Sequence, residues 1–392
     1  MNQFYLPLMN DNIDKEDVKS VIDFLSQDTI PKLTNGPKVA EFEKAWGEWL
    51  GTSYNLFVNS GASANELTML AIAHMIGEGE IIVPPLTWIS DISSVLFAGH
   101  KLVFVDVNFT NLSFDIDKLK AAITPNTKAI FLTHVLGING ITDELLGICE
   151  ANNILLIEDV CESHGTTFRG CKVGNFGFAS NFSFYFAHHM STIEGGMIST
   201  NNEEFYQVCR ALRSHGMTRE MTSVCMKEAI IEANPDLNPD FIFLRPSHNF
   251  RSTEINAVIG LSQLPKLDNK NQERIDNFDL FISNLSPEKY HIAINTEGNC
   301  NYAFIVILKE SNFDKRNALE NKLSDNGIEF RRGLSGGGNQ MRQPYFKSIH
   351  QDFSDYPVIE HIHNFSWYIG NYPELPKEYI TELTSLINDL PS

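Results

Sequence analysis

Up to residue 159, short apolar runs alternate with helical patterns, and this alternation constrains the fold more than any other feature of the chain. NLFV (55–58), IIVP (81–84), KLVFVDV (101–107), KAIFLTHV (128–135) and ILLIED (154–159) are brief and rich in β-branched residues, which predicts buried strands. The stretches between them, 63–76, 89–99, 115–123 and 142–153, carry helical spacing. Strand and helix in strict turn predict an α/β fold with a mostly parallel sheet covered on both faces. In such a sheet a ligand sits beyond the carboxyl ends of the strands.

Past residue 265 the pattern changes. A long helical stretch (268–284) leads to YAFIVILK (302–309), a helix (313–326), the Gly-rich RRGLSGGGNQ and a last helix near 375–388. This predicts a large domain over 1–265 and a smaller α+β domain over 266–392.

The net charge of −19 disfavours nucleic acid and anionic membrane surfaces as partners. The six cysteines form no CxxC pair and no dense cluster, so free thiols in a reducing, cytoplasmic setting are expected, with no metal site. The amino-terminal stretch has no basic region followed by an apolar run, so no secretory signal is expected, and no stretch is apolar for long enough to span a membrane.

Four motifs fall where such a sheet places its site. NSGASANEL (59–67) is a small-residue turn that follows a strand and opens a helix, a place where free N–H groups can hold a phosphate. Trp88, just past the second strand, offers a flat platform for an aromatic ring. Asp159, at a strand end, can pair with a protonated ring nitrogen and make that ring a better electron sink. SFYFAHHMSTIEGG (183–196) offers the Ser183 hydroxyl and a tight glycine turn.

In this order, and together with NGPKVAEFEKAW (35–46), HGMTRE (215–220), SHNFRSTEINAVIGLSQL (247–264) and GIEFRRG (327–333), the motifs resemble the sugar aminotransferase family of pyridoxal-phosphate enzymes. The resemblance covers nearly the whole chain and implies the aspartate aminotransferase fold. It implies that Gly61, Ala62 and Ser183 hold the cofactor phosphate, that Trp88 stacks on the pyridine ring and that Asp159 meets its nitrogen. Glu162 stands where most members carry Gln near the ring hydroxyl. Asn249 is implied to reach the phosphate of the neighbouring subunit, hence a homodimer with shared sites. Arg219, Arg251 and Arg331 fall in loops suited to a diphosphate or to glutamate carboxylates, which fit the planar guanidinium.

The family's Schiff-base lysine lies six residues before the Glu of EGG, and here that position is His188. Imidazole forms no stable Schiff base, so the cofactor is expected to be held by non-covalent contacts, as pyridoxamine 5'-phosphate or as pyridoxal 5'-phosphate joined to an amino acid. His188 remains a competent base. His189 is expected to do something else, because adjacent side chains point apart. The resemblance to the members with HH and CES at these places implies C3 dehydration of a nucleotide-linked 4-keto-6-deoxy sugar, GDP-linked or a close relative. L-glutamate would restore the amine and ammonia would be released. Lipopolysaccharide or capsule sugar synthesis is the context the family implies. The alternatives are ordinary sugar amination with His as base, and a cofactor-binding homologue without activity. An iron–sulfur variant of the chemistry needs cysteines brought close, and these are scattered.

Overall fold

The computed structural model describes residues 5–346 and 352–390. Its strands in chain order are β1 (Tyr54–Val58), β2 (Glu80–Val83), β3 (Lys101–Phe104), β4 (Thr127–Thr133), β5 (Leu155–Asp159), the short β6 (Thr167–Phe168) and β7 (Cys171–Lys172), β8 (Ala179–Ser183), β9 (Gly196–Thr200), β10 (Ala303–Ile307), β11 (Phe330–Arg332) and β12 (Ser366–Gly370). The larger sheet has the order β1-β9-β8-β5-β4-β2-β3. β8, β5, β4, β2 and β3 run parallel, and β9 runs antiparallel to β8 and to β1 on either side. The predicted α/β class with a mostly parallel sheet is therefore the observed one.

All five predicted strands are present. KLVFVDV forms strand only to Phe104, because the Asp106 carboxylate turns the chain away. It accepts from its own neighbour Val107 N at 2.9 Å and from Ile359 N at 3.0 Å, and pairs with Lys118 at 3.1 Å. The helices begin at side-chain caps: Ser60 Oγ accepts from Ser63 N, Asp115 from Lys118 N and Thr142 from Leu145 N. Helix Gly61–Ile76 is buried along most of its length, since helices Ile89–Phe97 and Glu203–Arg213 cover it on the side away from the sheet.

β10, β12 and β11 form a second, antiparallel sheet packed with helices Leu267–Asn284, Phe313–Asp325 and Lys377–Asn388. Among the described residues no helix is long and apolar enough to cross a membrane.

One buried ion pair fixes the edge of the large sheet. Glu43 Oε1 accepts from Arg213 Nη1 at 2.7 Å and from Phe57 N at 2.8 Å, and Arg213 Nη1 also donates to Phe57 O at 3.0 Å. The outward N–H and C=O of Phe57 on edge strand β1 are thus paired inside the protein, so the edge offers nothing to another chain at that residue.

Candidate active site

The carboxyl ends of β1, β2, β4, β5 and β8 meet at one cavity of about 300 Å³, lined by Gly61, Ala62, Trp88, Asp159, Glu162, Ser183 and His188 among others. The sequence places these residues up to 127 positions apart (Gly61 to His188). The parallel strands bring them together because each delivers its following loop to the same edge.

At the floor of the cavity Ser60 caps helix Gly61–Ile76, accepting from Ser63 N at 3.0 Å, which leaves the Gly61 and Ala62 N–H groups for an anion. Gly61 cannot be replaced without displacement. A Cβ there would lie 2.6 Å from Ser183 Cβ. At Gly196, a Cβ would lie 2.2 Å from Ser60 O, so both glycines keep the turn open against β8 and β9. The Asn256 amide donates to Thr192 O at 2.6 Å and to Glu194 O at 3.0 Å, pinning the loop before β9. That loop holds Ile193 at φ +69, costly for a β-branched residue.

On one wall Asp159 Oδ1 accepts from Cys161 N at 2.8 Å and Oδ2 from Asn65 Nδ2 at 3.0 Å. Trp88 is 55% exposed, so its ring is free to lie against a ligand.

His188 lines the cavity with its Nδ1 buried and unpartnered. Burial, only partly offset by the Asp159 charge, pushes its pKa down to about 4. At neutral pH the imidazole is therefore uncharged and can accept a proton. His189 points elsewhere, as its neighbour position requires. Its Nε2 meets Cys300 O at 3.0 Å and its ring stacks on His164. Among the described residues lining the cavity there is no lysine.

Glu162 accepts from Leu136 N at 3.1 Å and from Ser335 Oγ at 3.2 Å. Burial, reinforced by the Asp159 charge, raises its pKa from 4.5 to about 7. Between those values the folded chain without ligand holds a proton that the unfolded chain has released, so stability falls as pH rises through the window. Glu162→Gln removes that fall. The melting temperature of the variant minus that of the wild type should grow as pH climbs from about 4.5 to about 7. Parallel melting curves against pH would show Glu162 to be ordinary.

Arg219, Arg251 and Asn249 do not line this cavity in a single chain. Arg219 and Arg251 share a separate hollow with Lys32 and His215. Asn249 is exposed, and its backbone oxygen accepts from Asn59 Nδ2 at 3.5 Å. Arg331 lies on β11 directly across from Tyr368, which does line the cavity. Sequence reasoning missed Asn65, Asp91, Thr133, Tyr302 and Tyr368. Thr133 at the end of KAIFLT carries a positional signal, whereas Asp91, an ordinary acid in a first helical turn, and the two tyrosines, Tyr302 just before β10 and Tyr368 within β12, carry none. The Gly-rich RRGLSGGGNQ predicts a loop but gives no sign that it brings Ser335 to the cavity. A strap from Leu6 to Asn12 completes the site. Leu6 pairs with Ile328 beside β11, and the Asn12 amide donates to His188 O and Phe186 O.

Comparison with known proteins agrees with this geometry. The sequence profile described as the DegT/DnrJ/EryC1/StrS aminotransferase family matches residues 11–388. The chain is 30% identical to a GDP-4-keto-6-deoxy-D-mannose 3-dehydratase of Yersinia pseudotuberculosis, over 97% of this chain and 98% of the other. Two solved structures of a GDP-4-keto-6-deoxymannose-3-dehydratase superpose with TM-scores of 0.86 at 28% identity, covering 97% of this chain and 100% of theirs. One of them holds a trapped PLP-glutamate geminal diamine, and the other is a histidine-to-asparagine mutant with bound GDP-perosamine.

Proposed function

The chain belongs to the DegT/DnrJ/EryC1/StrS aminotransferase family, and on that premise we propose that it removes the C3 hydroxyl from a nucleotide-linked 4-keto-6-deoxy sugar. The observation that carries this reading is a cavity lined by the His188 imidazole, its Nδ1 buried and unpartnered, with no lysine among the described lining residues. The residues fit pyridoxal or pyridoxamine 5'-phosphate. Gly61 and Gly196 keep open a cradle that a Cβ would fill, and His188 Nδ1 is buried without a partner.

When bound, the amine form of the cofactor supplies an amino group for the C4 ketone and a conjugated ring that takes up electrons as the C3 carbon–oxygen bond breaks. The chain's own residues do the rest. Gly61 and Ala62 N–H and the Ser183 hydroxyl bind the phosphate. Trp88 supports the ring face and Asp159 meets the ring nitrogen. With no covalent tether, these contacts alone hold the cofactor. His188 takes a proton at the cofactor's exocyclic carbon. Glu162, whose pKa burial raises to about 7, would stand toward the ring hydroxyl. The net change is a keto sugar plus glutamate giving the 3-deoxy keto sugar, ammonia and 2-oxoglutarate.

The relative's substrate and the glutamate trapped in a relative's structure support the choice of partners. The exposed Asn249 and the hollow holding Arg219 and Arg251 fit a homodimer in which the neighbour completes each site. A cytoplasmic location agrees with this chemistry.

The test is incubation of the holoprotein with glutamate and GDP-4-keto-6-deoxymannose, followed by mass spectrometry and an ammonia assay. The expected product is lighter than the substrate by one oxygen, with ammonia formed in equal amount. An amino sugar without free ammonia would establish transamination instead.

A further inference from the structure

Behind the wall that carries Asp159 lies a second carboxyl, Asp91, fully buried and outside the cavity lining. Asn65 joins the two. Its Nδ2 approaches Asp91 Oδ1 at 2.6 Å, Asp159 Oδ2 at 3.0 Å and Ser90 Oγ at 3.0 Å. Among the described residues neither carboxyl has a Lys or Arg in ion-pairing range.

The hydrogens can be counted. Asp91 Oδ2, Thr87 Oγ1 and Thr133 Oγ1 each approach the other two. Thr133 reaches Asp91 at 2.9 Å, Thr87 and Thr133 are 2.7 Å apart, and Thr87 contacts Asp91 closely. The two threonines bring one hydroxyl hydrogen each, which is too few for a closed ring of three oxygens. A carboxyl proton on Asp91 supplies the missing one. Asp159 has no such need, since Cys161 N and Asn65 Nδ2 both donate to it. Two buried carboxylates sharing one amide could not both be charged without a cation.

We propose that Asp91 is a neutral carboxylic acid and a positioning residue: through Asn65 it holds Asp159 oriented, and singly charged as a pair, toward the cofactor's ring nitrogen. The titratable groups facing this pair are Cys161, Glu162 and His188. Burial and the Asp159 charge both push the Asp91 acidity down, in the direction the hydrogen count requires. Burial keeps the Cys161 thiol neutral as well. The role of Asp91 toward the cofactor rests on the reading of Asp159 given above, but its protonation does not.

Two measurements decide the matter. The first is the infrared spectrum of the protein with 13C-labelled aspartate, with and without Asp91→Asn. A carboxylic acid band should persist from about pH 6 to about pH 8 and vanish in the variant. A spectrum with no such band, or one unchanged by Asp91→Asn, overturns the proposal. The second is the dissociation constant of pyridoxal phosphate, read from its absorbance. Asparagine reproduces a neutral acid, so Asp91→Asn should stay within about threefold of wild type, while Asp91→Ala, which drops the Asn65 contact, should weaken binding by about tenfold. A tenfold loss with Asn would mean that Asp91 acts through charge, and no loss with Ala would remove the positioning role. Asp91→Asn and the infrared band suffice if the alanine variant does not fold. Asp159→Asn, in parallel, should weaken binding by about a hundredfold. If it does not, the reading of Asp159 fails while the acid band still tests Asp91.

Discussion

His188→Asn should bind cofactor and fold as the wild type does, yet lose about three orders of magnitude or more in turnover of the keto sugar. The argument is local. Asparagine keeps a similar volume in a half-buried place and cannot accept a proton to any useful degree. The backbone around residue 188 is fixed independently of the ring, by the turn from His188 N to Tyr185 O at 3.0 Å and by Asn12 below it. The spectrum of the bound cofactor should therefore persist. A variant that still turns over at a tenth of the normal rate would move the base elsewhere. His188→Asn also tests the shared site. Mixed with Asn249→Ala in equal amounts and allowed to exchange subunits, it should restore about a quarter of wild-type activity. Half the dimers are then mixed, and each mixed dimer keeps one intact site of two. No recovery under confirmed exchange would place Asn249 outside the neighbour's site.

Arg213→Ala should cost about 3–5 kcal/mol of stability, seen as a lowered urea midpoint at unchanged slope. Removing the guanidinium leaves the Glu43 carboxylate buried beside Phe57 N with no counter-charge, and leaves the outward Phe57 carbonyl unpaired. Replacing the pair together, Glu43→Leu with Arg213→Met, should recover only part of the loss: it removes the uncompensated carboxylate but leaves both Phe57 N–H and C=O without these partners. A loss below about 1 kcal/mol for the single change would show that water or a neighbour reaches the site. Because β1 leads straight into Ser60 and Gly61, a softened β1 edge should also loosen the phosphate cradle, and cofactor affinity should fall with stability.

Most strands readable from sequence are those filled from both faces, such as Ile81, Ile82 and Val83 of β2, where each position is buried; β3, with Lys101 exposed, is readable from its β-branched run instead. β8 escaped notice because ASNFS is mostly polar. Most of its polar atoms find partners inside, with Ser180 Oγ donating to Gly174 O and Thr68 Oγ1 to Asn181 Oδ1, both at 2.8 Å, while Asn181 Nδ2 is buried without one. Buried polarity of that kind has no one-dimensional signature. The same holds at the site. Gly61, Trp88, Asp159 and His188 were legible because each stands at a fixed offset from a strand or a motif. Tyr302 stands just before β10 and Tyr368 lies within β12, and no local pattern foretells that the second sheet brings them to the cavity. Asp91 was passed over for another reason. An acid in the first turn of a helix is ordinarily a solvated partner of the helix dipole, and only its burial marks it out.

The strap from Leu6 to Asn12 has a mechanical consequence. It is knotted at one end to the edge of the small sheet, through Leu6 and through Leu8 N on Glu329 at 2.9 Å, and at the other to the backbone oxygen of His188. A drawstring so placed transmits any tug on the small sheet to the imidazole's footing. Trimming the chain back to Ile13 would strip Leu6 and Leu8 from the core and slacken the backbone beneath the His188 ring.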